Sequence, residues 1–230
     1  MSGVFRRLFK TVVPGTNGQS MFPKDVAVDR NGHSWVVGTI YCPKCRVAHV
    51  VKYSREGLPE STFSFPVKST VSSGFSIALD ASNDRIIVTE YKMYLHIFFS
   101  NGSLICKIPS SPETLIGHHV TTGKDGTIIV SVAWKDIVQV YSRDGNPLYM
   151  LDKRRLSYPD GICTDSLGNI IVANFTNNKV NMFTSRGEFV RTVARTKDPD
   201  DIAVGPDGQL VVTSKFSNII TIFPRQTVSP

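Results

Sequence analysis

Short apolar runs alternate with polar turns along the whole chain, and within each run the apolar positions repeat with a period near two, not 3.6. Taking the stretch after Tyr158 as the clearest case, segments 162–164, 170–173, 180–183 and 189–193 read as four consecutive strands. They are rich in Val, Ile and Phe, which suit a pleated, half-buried surface. Between them stand pairs such as Gly168-Asn169, which supply the positive φ that tight hairpins need. Ser100-Asn101-Gly102, Arg143-Asp144-Gly145 and Ser185-Arg186-Gly187 mark the corresponding third turn in successive units.

These units repeat. Segments 158–172 and 198–212 align without a gap, and Gly126, Gly168 and Gly208 recur at spacings of 42 and then 40 residues. A period of about 40 with four strands per unit predicts propeller blades. Five repeats are counted, at approximately 22–65, 73–108, 116–151, 158–193 and 198–223. The expected fold is an all-β propeller of four-stranded antiparallel blades, six if one blade is missing or degenerate. The second unit carries Asn83-Asp84 where the others have glycine.

The fifth unit lacks an outer strand, and the segment Gly3-Val4-Phe5-Arg6-Arg7-Leu8-Phe9-Lys10 resembles the outer strand Gly187 to Val193. Residues 3–13 are therefore expected to close the ring on the last blade, hiding two sheet edges. A rival reading stays open: Val4, Phe5, Leu8, Phe9 and Val12 also recur at helical spacing among basic residues, as in a transit peptide.

With 230 residues, 41% of them hydrophobic and 20% charged, the chain suits one domain spanning 1–230. No apolar stretch is long enough to span a bilayer, so a soluble, cytoplasmic monomer without membrane contact is the expectation. Four cysteines at 42, 45, 106 and 163 make no disulfide framework and are read as reduced thiols. The net charge of +7 favours an anionic partner.

An aromatic residue follows the second strand of every repeat: Tyr41, Tyr91, Trp134, Phe175 and Phe216. Basic residues accompany them, namely Lys44 and Arg46, Lys92, Lys135, Lys179 and Lys215. Equivalent positions should place these rings on one face. Rings stack bases and lysines neutralise phosphates, so the combination points to single-stranded RNA. The plainer alternative is that each ring packs over its neighbouring blade. Lys153-Arg154-Arg155 reads as a solvated connector.

Two other constellations carry less. Cys42, Cys45 and His49 have zinc-ligand spacing, but no fourth ligand is evident. Strand starts at Lys24-Asp25, Phe75-Ser76, His118-His119, Asp160-Gly161 and Asp200-Asp201 would point inward, with Asp25, Asp160 and Asp200 read as recurring in register. Such aspartates more often bond local amides, and no cofactor is expected.

The repeats resemble NHL repeats, whose units run Pro-x-x-Ile-Ala-Val-Asp, then Gly-x-Ile-x-Val, then Asn-x-x-Val-x-Val-Phe. Here Pro199 to Val212 with Asn218 to Phe223, and Pro159 to Val172 with Asn178 to Phe183, carry the likeness. Such domains usually have six blades and form the recognition end of tripartite-motif proteins, binding RNA or protein while a separate RING domain transfers ubiquitin. The resemblance implies a non-catalytic RNA-binding module. Its alternatives are a protein-interaction platform recruiting substrates for a ubiquitin ligase and, more remotely, a metal-dependent lactonase or esterase.

Overall fold

A computed structural model describes residues 9–40, 47–68, 74–80 and 84–224. The first sheet contains β1 (Phe22–Val28), β2 (Ser34–Thr39), β3 (Val47–Tyr53) and β4 (Pro59–Pro66). The second contains β5 (Phe75–Asp80), β6 (Arg85–Glu90), β7 (Tyr94–Phe99) and β8 (Leu104–Pro109). In the third, β9 (Val120–Thr122), β10 (Ile128–Val132), β11 (Ile137–Tyr141) and β12 (Pro147–Met150) follow the same order. The fourth holds β13 (Pro159–Thr164), β14 (Ile170–Asn174), β15 (Lys179–Phe183) and β16 (Phe189–Arg195). The fifth holds β17 (Pro199–Val204), β18 (Leu210–Ser214) and β19 (Ile220–Phe223).

Every pairing within these sheets is antiparallel and sequential, the blade pattern of a five-bladed propeller. Glycines hold φ between +78° and +90° at the turn after the first strand in four blades, at Gly32, Gly126, Gly168 and Gly208. In the second blade Asp84 takes that left-handed place at φ 53°. An aspartate tolerates this region better than most residues, which is why the blade survives without its glycine.

The first strands lie side by side around the axis: β1 beside β5, β5 beside β9, β9 beside β13 and β13 beside β17. Side chains stitch them together. Ser76 donates to Asp25 Oδ2 at 2.6 Å, Thr122 to the Leu79 carbonyl at 3.0 Å, and Thr164 to the Thr122 carbonyl at 3.1 Å.

Apolar clusters fill the gaps between successive blades. Val37, Val50 and Phe65 meet Ile77, Val88 and Phe98; Ile87 and Ile97 meet Val130 and Tyr141; Val140 meets Ile162 and Val172; Ile171 and Met182 meet Ile202 and Leu210. Each fully buried side chain of this size contributes about 1.5–3 kcal/mol.

No cluster among the described residues joins the fifth sheet to the first. Val26 and Val28 of β1 are 56% and 64% exposed, and Ile220 and Ile222 of β19 are both 66% exposed. Of the expected closing strand, 3–13, only residues 9–13 are described. Residues 3–8 lie outside the described residues, but residues 9–13 do not run beside β19. Phe9 packs on Tyr53 at 5.0 Å, Val12 bridges Ser20, and the Tyr53 hydroxyl donates to the Val12 carbonyl at 3.1 Å. Val13 and Met21 complete a cluster with Val36, Val51 and Tyr53, so this segment covers the outer face of the first sheet.

Candidate functional site

Because β1 and β2 are antiparallel, as are their counterparts, the start of each first strand and the end of each second strand share one face of the propeller. The loops bearing the recurring aromatics therefore surround the residues that open the axis. Tyr41, Lys44, Arg46, Cys42 and Cys45 lie outside the described residues. His49 sits inside β3, half-buried, where burial lowers its pKa.

The remaining aromatics form two groups. Tyr91 meets Trp134 of the next blade edge-on at 5.2 Å, and the Lys92 ammonium lies 5.0 Å from the first ring and 4.7 Å from the second. Trp134 stands in a 3₁₀ turn, Ala133–Lys135, closed by Asp136 in the left-handed region. Across the face, Phe175 contacts Tyr158 and Phe216, each at 5.7 Å, with the Lys215 ammonium 5.3 Å from Phe175. Phe216 is the most open ring, at 77% exposure; Tyr91, Trp134 and Phe175 are half-buried. Lys135 is exposed, and Lys179 is half-buried within β15. Rings thus pack over neighbouring blades and also present edges to solvent.

Between the two groups lies a charged cluster. Tyr91 packs against His118 with centroids 3.9 Å apart and ring planes inclined by 50°, and His118 adjoins His119. Asp160, only 1% exposed, places Oδ2 2.7 Å from the Lys215 ammonium, which also reaches Asp200 at 3.0 Å. Its other oxygen, Oδ1, faces His119 Nε2 at 3.4 Å and His118 Nδ1 at 3.8 Å. Those separations are too long for well-made hydrogen bonds, and Oδ1 is buried without a hydrogen-bond partner.

Burial alone would raise the pKa of Asp160, but His118, His119 and Lys215 outweigh it and hold the carboxyl well below its usual range. Burial would lower His119, yet Asp160, Asp201 and Asp25 reverse the sign and raise it. Lys215 is likewise raised, its two carboxylate partners overcoming burial. Asp201 moves up, chiefly through burial. Lys215 is thus a structural counter-ion as well as a rim cation.

Counting from Pro23, Pro159 and Pro199 corrects the register of the aspartates. Asp160 and Asp200 occupy the first place after proline, while Asp25 matches Asp201 in the second. Chemistry follows place. Asp25 accepts the amide of Val26 at 2.7 Å, and Asp201 accepts that of Ile202 at 2.8 Å, each capping the next residue of its own strand. Asp160 makes no such bond and turns toward the histidines. Tyr158 is an addition to the ring set; only its place before Pro159 signalled it.

Cys106 and Cys163 lie in β8 and β13 of different blades and are not disulfide-bonded. Burial pushes the Cys163 thiol far up, where it packs between the fourth and fifth sheets. No helix among the described residues is long and apolar enough to cross a membrane.

No protein-family model matches the chain. NHL-repeat-containing protein 4 of Mus musculus is 31% identical over 123 residues, 50% of this chain and 90% of that protein. Its Homo sapiens namesake is 32% identical over 108 residues, covering 45% and 87%. Among solved structures, a chain of the nidogen/laminin complex superposes with TM-score 0.70 at 12% identity, covering 90% of this chain and 77% of that one. Virginiamycin B lyase from Staphylococcus aureus gives 0.60 at 15%, covering 95% and 74%. These last two show the shared fold.

Proposed function

Since this chain belongs to the NHL-repeat family of β-propellers, we propose that it is a non-catalytic binding module whose loop face holds single-stranded RNA. The observation that carries this reading is the alternation of rings and ammonium groups around one face: Trp134, Lys92 and Tyr91 on one side of the axis, Lys215, Phe175 and Phe216 on the other. Bases stacking on such rings gain about 1–3 kcal/mol each, whatever their sequence. Lys135 and, in the undescribed loop, Lys44 and Arg46 would meet phosphates, in keeping with the net charge of +7.

A labelled pool of short single-stranded RNAs, titrated at two salt concentrations, tests this. Binding should weaken steeply with salt. Phe216→Ala and Trp134→Ala should each weaken it at both salts, and Lys135→Ala should flatten the salt slope by about one charge. No binding at low salt overturns the reading.

A second reading, a protein-recognition platform, is favoured by the exposed Ile220 and Ile222 of the fifth sheet and Ile219 just before them. Buried apolar contacts would make that association nearly insensitive to salt. Ile220→Lys with Ile222→Lys would abolish it while leaving RNA binding intact.

A further inference from the structure

We propose that His118, His119 and Asp160 form a binding site for a divalent transition-metal ion at the mouth of the propeller axis, independently of what the rim holds. The three residues are close in space for a reason rooted in the repeat. His118 and His119 lead into β9, where the His118 amide donates to the Ser131 carbonyl at 3.1 Å and the Ser131 amide to the His119 carbonyl at 3.0 Å. Asp160 opens β13 one blade on. Their ligand atoms all lie within 4.8 Å of one another.

The spacing suits a metal better than a hydrogen bond. Two donors about 2.1 Å from one ion at a tetrahedral angle stand about 3.4 Å apart. His119 Nε2 and His118 Nδ1 stand 3.4 Å and 3.8 Å from Asp160 Oδ1. That oxygen is buried, lacks a hydrogen-bond partner and has a nitrogen of each imidazole within 4 Å. An unsatisfied buried carboxylate oxygen is costly, and an ion there would remove the cost.

Lys215 contributes by occupying the other oxygen, Oδ2, so Asp160 would bind through one atom. Two imidazoles with one carboxylate favour zinc, cobalt or iron over the oxygen-seeking calcium and magnesium. The histidine side chains are 34% and 28% exposed, so the candidate site lies within reach of solvent.

Cobalt(II), titrated into the whole chain, provides the test, followed by displacement with zinc. One equivalent should bind with the visible ligand-field spectrum of a low-coordinate site and without thiolate charge transfer, and calcium should not displace it. His118→Ala and His119→Ala should each lower affinity about tenfold or more. Asp160→Asn also removes one of the two carboxylate partners of Lys215, so Lys215→Met serves as the second probe: it frees Oδ2, removes a competing positive charge, and should tighten binding. Absence of both a cobalt spectrum and a zinc-dependent thermal shift overturns the site. So does binding unchanged in the histidine variants, binding weakened in Lys215→Met, or a thiolate band assigning the metal to Cys42 and Cys45.

Discussion

The fourth and fifth blades are nearly the same sequence in two different situations. Segments 158–172 and 198–212 align without a gap, and β15 and β19 follow at equivalent places. Yet Val180 and Met182 of β15 are buried, whereas Ile220 and Ile222 of β19 are exposed. Among the described residues the fourth blade has a neighbour on each face, and the fifth has one on its β13 side alone. In a repeat architecture a residue's energetic weight is set by what stacks on its blade, because no unit buries its apolar faces alone.

The sharpest way to test this contrast is a matched pair of truncations. Met182→Ala should cost about 2–5 kcal/mol, as a cavity in a filled gap does. Ile222→Ala, at the equivalent place, should change stability by no more than about 0.5 kcal/mol. Urea unfolding of both variants measures the difference; equal losses would mean that something covers the fifth sheet in solution.

Next in size is the interface of the fifth blade with the fourth. A Cβ on Gly161 would stand 2.6 Å from both the Asp200 carbonyl oxygen and the Asp201 Cα, backbone atoms that cannot swing away. Gly161→Ala should therefore destabilise by about 1–3 kcal/mol through overpacking, read as a fall in melting temperature.

A smaller effect belongs to the other bordering sheet. Burial raises the Tyr53 pKa to about 12 from its ordinary value of 10.0. A raised folded-state pKa means the folded chain keeps a proton that the unfolded chain loses. The corresponding stability is present below pH 10 and is lost as pH rises from there toward about 12. Tyr53→Phe should remove that part of the alkaline slope while costing about 0.5–1.5 kcal/mol at neutral pH for the lost bond to Val12. Denaturant midpoints across that pH range check both.

The smallest effect should come from Ile220→Lys with Ile222→Lys. On a face that no described residue covers, these leave stability within about the same 0.5 kcal/mol margin, while lowering any tendency of the chain to self-associate in light scattering.

Blades were legible because their signals are local. The strands expected at 170–173 and 180–183 match β14 and β15 to within a residue, since alternation and turn chemistry act within about ten residues. The placing of residues 9–13 was not legible: an outer-strand motif says what a segment can pair with, not which sheet lies nearest. The loop face that brings Tyr91 to Trp134 and Phe175 to Phe216 was foreshadowed by their equivalent places in the repeat. Its centre was not, because the meeting of His118, His119 and Asp160 depends on two blades abutting at the axis, and misplacing Asp25 by one residue hid the different behaviour of Asp160.

Cys163 turns this architecture into a clock. Its thiol is packed between the fourth and fifth sheets and, by burial, stays protonated far above the ordinary range. Half-buried there, the thiol reacts faster once the fifth sheet swings off the fourth, so the labelling rate in a chain whose other cysteines are serine would report that opening. If the fifth sheet frays first, Cys163 labelling will quicken well before the protein as a whole unfolds.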